Sequence, residues 1–174
     1  MTLRAIAAAV ALTALLASVP GSAFAAKAPK VSLSSSAQLP RPLPYPYDPK
    51  ADAQAEVAAA AARAKAAHKL LLIDLGGNWC GDCRILAGVM RLPEVKSFLD
   101  AHYEIVTVDV DRLDRNMDIP LRYGIGPDDL IGVPALLIID ETGALRNRHE
   151  LITVTDKRHT RPQQMADWLA KWVK

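Results

Sequence analysis

The feature that most constrains this 174-residue chain is the junction at residues 70–84. It opens with Leu70-Leu71-Leu72-Ile73-Asp74-Leu75, apolar at every position but Asp74, which reads as a strand buried on both faces. Gly76 and Gly77 follow, then Asn78-Trp79-Cys80-Gly81-Asp82-Cys83-Arg84. Beyond them Ile85, Leu86, Val89 and Met90 recur at helical spacing. The chain thus hands its only two cysteines from a core strand to the first turn of a helix. A thiolate is the attacking form of cysteine, and a helix N-terminus stabilises it. A disulfide across so short a loop removes little chain entropy and is a poor staple, so the spacing favours a reversible pair. Asp74 breaks the apolar pattern, and an unpaired charge in a core strand is costly. It is either a strand-end residue facing water or a buried proton acceptor behind the cysteines; we adopt the second reading.

The first 25 residues read as an export signal. Arg4 is their only charge, Ile6 to Val19 is apolar, Pro20-Gly21 breaks the run, and Ala23-Phe24-Ala25 fits a small-x-small cleavage site. The apolar run is shorter than the roughly 20 residues a membrane span needs. The expected location is therefore outside the cytosol, in a periplasm or the exterior, with no membrane attachment after cleavage. The remainder is long enough for one well-buried domain. Its formal charge of +2, which falls by one with Arg4, gives no electrostatic case for nucleic acid or a membrane surface.

Residues 26–49 carry six prolines from Pro29 to Pro49, favouring extended polyproline II over helix or central strand. They read as a linker or wrapping arm that docks Tyr45 and Tyr47 on the domain; a ligand for a proline-recognising partner is the sharper alternative. Asp48-Pro49 suggests an N-cap and first turn for an alanine-rich helix over 50–67. After the junction come a helix from Glu94 to about His102 and a strand from Ile105 to Val110. Asp109, Asp111, Asp114 and Asp118 form an acidic connection lacking the glycine and terminal glutamate of a calcium loop, so a solvated turn is expected. A short helix ends near Leu121–Ile125. Gly132-Val133-Pro134 leads into a strand from Ala135 to Ile139, a tight turn at 140–143 and a strand from about Ala144 to Glu150. Residues 156–161 form a basic loop. The last helix puts Met165, Trp168, Leu169 and Trp172 on one stripe, read as core packing. Strand–helix–strand units closed by a hairpin and a helix imply an α/β fold, a central mixed β-sheet with helices on both faces.

In order and spacing, Asp74, the Trp79-Cys80-Gly81-Asp82-Cys83 motif, Tyr123-Gly124-Ile125 and Gly132-Val133-Pro134 resemble the thioredoxin superfamily, over residues 51–174. The pattern is similar to exported bacterial thioredoxin-like proteins rather than to the compact cytosolic form. The resemblance implies a three-layer thioredoxin-like domain over 50–174; residues 1–25, read as signal, and 26–49, read as arm, fall outside it. It implies that Cys80, exposed at the helix start, attacks a protein disulfide and that Cys83 resolves the mixed disulfide. Asp74 would help deprotonate Cys83. Trp79, Gly81, Asp82, Val133 and a cis Pro134 would meet the substrate. It implies no cofactor beyond the redox-active Cys80–Cys83 pair and no metal. The implied partners are protein thiols and disulfides and an electron donor, met by a monomer.

Three departures particularise this reading. Thr107 stands where thioredoxin has a lysine near its buried acid. About four extra residues near Pro127–Leu130 precede Val133-Pro134 and are expected to reshape the groove. Gly81-Asp82 replaces Gly-Pro between the cysteines, and Asp82 should raise the Cys80 pKa against the pull of Arg84 and the helix dipole. A reductant-to-intermediate potential follows as the expectation. Two other functions compete: a non-catalytic binding module on the same fold, and a copper or other metal carrier. His102, His149 and His159 show no ligand spacing for the latter.

Overall fold

β1 (Leu70–Gly76) is the middle strand of a sheet ordered β2–β1–β3. The structure, a computed structural model, describes residues 26–151 and 161–173. The export-signal stretch 1–25 and residues 156–160 of the basic loop lie outside them. β2 (Tyr103–Asp109) pairs parallel with β1 and sets Thr107 beside Asp74. β3 (Ala135–Ile139) pairs antiparallel and sets Leu136 on its other side. The sheet is therefore mixed. The helices are α1 (Ala53–Ala66), α2 (Gly81–Met90), α3 (Pro93–His102), α4 (Asp118–Arg122) and α5 (Pro162–Lys171).

Side-chain alternation along β1 splits the core in two. Leu71, Ile73 and Leu75 join Val106, Val108 and Leu137 against Val57, Ala60 and Ala64 of α1. Leu72 joins Leu136 and Ile138 on the other face, against Leu86 and Val89 of α2, Leu99 of α3 and Leu169 of α5. Helices cover both faces, giving three layers. Asp74 follows Leu72 by two residues and so shares the α2 face.

Two local expectations are corrected. The N-cap of α1 is Asp52, whose carboxylate accepts from Ala55 N–H at 3.0 Å. Asp48 instead closes its own turn, accepting from Lys50 N–H at 2.9 Å. Asp52 prevails because it directly precedes the Ala53 helix run. The helix stops where His68 turns left-handed, with φ +52°. The strand expected over 144–150 shrinks to one bridge, Ile139 to Leu145. Past it the chain replaces backbone pairing with a side chain. Buried Asn147 accepts from Ile138 N–H at 2.8 Å and donates to Leu136 C=O at 2.7 Å. Its amide copies the donor and acceptor that a fourth strand would supply.

The proline-rich arm lies on the domain. Val31, Leu39 and Leu43 are buried in the α2–α3–α5 layer, and Tyr47 in the α1-side cluster. A polyproline backbone makes no hydrogen bonds to itself, so its carbonyls need outside donors. Arg84 donates to Leu43 C=O and Pro44 C=O, both at 3.0 Å, and stacks its guanidinium on Tyr45 at 3.8 Å. Thr107 Oγ1 donates to Pro46 C=O at 3.0 Å. Gln163 of α5 donates to Pro29 C=O at 3.1 Å and accepts from Val31 N–H at 2.8 Å.

Candidate active site

The turn from β1 into α2 is closed by the Cys80 N–H donating to Gly77 C=O at 3.1 Å. Cys80 then serves as the N-cap of α2, its sulfur accepting from Cys83 N–H at 3.1 Å. A capping atom faces the unpaired amides of the first helical turn, where negative charge is stabilised. Across the site, the Cys80 thiol donates to Val133 C=O at 3.6 Å. The Val133–Pro134 peptide bond is cis. Both cysteines are in the dithiol form.

The expectation that Cys80 is exposed is corrected: it is 7 % exposed, whereas Trp79 is 51 % exposed. The sulfur lies in the wall of a cavity of about 470 Å³, with Trp79, Gly81, Asp82 and Val133 lining it alongside. The cavity thus gathers five of the residues singled out from sequence. Cys83 lies fully buried one turn behind, and Pro134 continues into β3. Residues 127–130, expected to reshape the groove, do not line it; Leu130 is drawn into the core.

The two thiols differ sharply in acidity. The hydrogen bond with the Cys83 side chain lowers the Cys80 pKa from 9.0 to about 7, aided by the Cys83 amide and opposed by burial and the Asp82 charge. Asp82 acts in the expected direction, but the hydrogen bonds outweigh it. Arg84 was expected to assist the thiolate and instead faces the arm. Cys83 moves the opposite way: its hydrogen bond to Cys80 and its burial hold it well above the ordinary thiol range. The more acidic sulfur is the one at the cavity wall, and the buried one holds its proton more tightly.

Asp74 is fully buried. Burial raises its pKa from 3.8 to about 7, with the Cys80 charge contributing and a hydrogen bond from Tyr47 opposing. That bond runs from Tyr47 Oη to Asp74 Oδ1 at 2.9 Å; Oδ2 finds no partner among the described residues.

Tyr47 and Arg112 are the site residues that sequence reasoning missed. Tyr47 was assigned to the surface, yet it is 2 % exposed. The available signal was Thr107: a buried acid without a cation requires some other partner. Arg112 sits on the acidic connection read as a solvated turn. Left-handed Asp111 (φ +43°) and Leu113 (φ +67°) flank it, and its guanidinium lies over the Trp79 ring at 4.6 Å. Nothing in the residue types there announces that placement.

The comparisons agree with this architecture. A family profile described as thioredoxin-like matches residues 52–141. A thioredoxin from Alicyclobacillus acidocaldarius subsp. acidocaldarius is 31 % identical over 70 residues, 40 % of this chain and 57 % of that relative. The crystal structure of a disulphide isomerase from Xylella fastidiosa Temecula1 superposes with a TM-score of 0.64 at 32 % identity, covering 76 % of this chain and 99 % of that one. A matching profile over more than half the sequence, the mixed sheet between helical layers and the shared fold lead to one conclusion: the chain belongs to the thioredoxin-like family.

Proposed function

We propose that the protein is an exported thiol–disulfide oxidoreductase acting on protein disulfides, with net flux toward reduction. The observation that carries the proposal is the asymmetry of the sulfurs. Cys80 borders an open cavity with its pKa lowered to about 7, while Cys83 lies behind it with its pKa raised. Cys80 thiolate attacks one sulfur of a client disulfide, forming a mixed disulfide and releasing the first client thiolate. Cys83 then attacks Cys80, closing the Cys80–Cys83 bond and releasing the second client thiolate. Two electrons pass from the enzyme dithiol to the client. Trp79, Gly81, Asp82 and the Val133-Pro134 backbone form the face the client meets.

The proposed direction rests on how modestly Cys80 is activated. Strongly oxidising relatives of this chemistry hold the thiolate at a pKa of about 3.5, and reductants near 7. With Asp82 beside the sulfur and Arg84 turned away, this centre matches the second group. Cys83→Ser expressed in the native compartment should accumulate mixed disulfides with client proteins that Cys80→Ser lacks, read on non-reducing gels. If Cys83→Ser traps nothing, the oxidoreductase reading fails and the binding-module reading takes its place. Redox titration of the purified dithiol against glutathione should give a reducing to intermediate potential. A value near about −120 mV, that of the strong periplasmic oxidants, overturns the direction.

A further inference from the structure

We propose that Tyr47, delivered by the proline-rich arm, is a proton relay between the Cys83 thiol and the Asp74 carboxylate, so that the arm is a working part of the redox centre. This rests on the oxidoreductase reading and extends it to a residue outside the matched family region, residues 52–141.

Gly76 shows how closely the parts meet. A Cβ on Gly76 would lie 2.3 Å from Tyr47 Oη and 3.0 Å from Cys83 Sγ, so the glycine leaves the gap in which phenol and thiol come together. The Tyr47 hydroxyl donates to Asp74 Oδ1 at 2.9 Å, and Cys83 Sγ borders the same gap beside it. The ring is held in place by its backbone. Tyr47 N–H donates to Asn78 Oδ1 at 3.2 Å, and Asn78 Nδ2 donates to Tyr47 C=O at 2.6 Å. Asn78 belongs to the turn that carries Cys80, so arm and cysteine turn are joined directly.

Asp74 also has a way out. It lines a second cavity of about 360 Å³, whose wall includes Pro46, Thr107, Arg91, Lys96 and Asp100. A space of that size, bordered by polar groups, has room for water. The groups around Asp74 are Tyr47 on the arm, Cys80 and Cys83 on α2 and uncharged Thr107 on β2; Arg91, Lys96 and Asp100 line the cavity.

The step balances as follows. In the mixed disulfide, Cys83 passes its proton to Tyr47 Oη as Tyr47 passes its own to Asp74. Cys83 sulfur bonds to Cys80 sulfur, and the client sulfur leaves with the electron pair of the broken bond. Asp74 ends protonated and Tyr47 unchanged. Burial drives the Tyr47 phenol far above its ordinary pKa, so it exchanges one proton for another and never stands as the phenolate. Reversal of the step uses the same groups.

Stopped-flow mixing of the reduced full chain with dithionitrobenzoate separates the two sulfurs. The first coloured thiolate reports Cys80 attack, and the second reports Cys83 resolution. In the wild type the second phase should quicken with pH and level off above about pH 7, where Asp74 is ionised. Tyr47→Phe should slow the second phase about a hundredfold at pH 7, the lower range for a positioned proton acceptor. Its rate should then climb without a plateau as hydroxide replaces the relay. Asp74→Asn should give the same profile, and the double variant should be no slower than Asp74→Asn alone. A wild-type second phase in Tyr47→Phe overturns the relay, and so does equal slowing of both phases. A wild type without any first phase overturns the oxidoreductase reading and the relay with it.

Discussion

A fully buried carboxyl group, one of whose oxygens has no hydrogen-bond partner among the described residues, sits in the middle of β1, on a strand otherwise built from leucine, isoleucine and a terminal glycine. Its neutral form is the one that burial favours. The Asp74 pKa is raised in the native chain, so as pH rises the unfolded chain releases this proton first. The native state therefore loses stability between about pH 4 and pH 7 on account of Asp74, and nothing further above that window. A shift of this size corresponds to about 4 kcal/mol at most. Asp74→Asn should remove that slope: relative to the wild type, urea-derived stability should rise with pH across the window and then stay constant. A variant that tracks the wild type at every pH would show that the carboxyl is not shifted. Such a residue is kept at a cost to folding, which fits a group retained for proton transfer.

The arm is the element whose energetics differ most from the expectation of a tether. Val31, Leu39, Leu43 and Tyr47 are all buried. Burying a large apolar side chain contributes about 1.5–3 kcal/mol, so four together rival the roughly 5–15 kcal/mol net stability of a typical domain. Leu39 and Leu43 close on Gly88 of α2, where an added Cβ would sit 3.2 Å from each side chain. Leu43→Ala should therefore destabilise the full chain by about 2–4 kcal/mol in urea unfolding. A loss below about 0.5 kcal/mol would mean that the arm only rests on the surface. The anchoring logic is one of supply and demand: the arm offers carbonyls without partners, and Arg84, Thr107, Asn78 and Gln163 offer the donors.

Across the whole molecule, what the sequence revealed was local. The strand–turn–helix from Leu70 to Met90 could be read because apolar pattern, glycines and cysteine spacing all act within a few residues. Trp79, Cys80, Gly81, Asp82 and Val133 do share one cavity. What could not be read depends on contacts between segments. Tyr47 lies in a stretch with no periodicity, and only its partners decide which way its ring points. Arg112 reaches Trp79 through left-handed backbone at Asp111 and Leu113, and leucine rarely adopts that conformation. The fourth strand failed because Asn147 meets the hydrogen-bonding needs of β3 with a side chain, which no alternation pattern encodes. The arm's outer anchors have a consequence in time. Val31 and Pro29 bond to Gln163 across separations of 132 and 134 residues, while Tyr47 reaches Asp74 across 27. Contacts so distant along the chain come after local ones, because loop closure costs entropy before it returns any energy. Loop closure therefore favours stitching the arm down from its inner end outward, with Tyr47 meeting Asp74 before Gln163 clasps Pro29 and Val31.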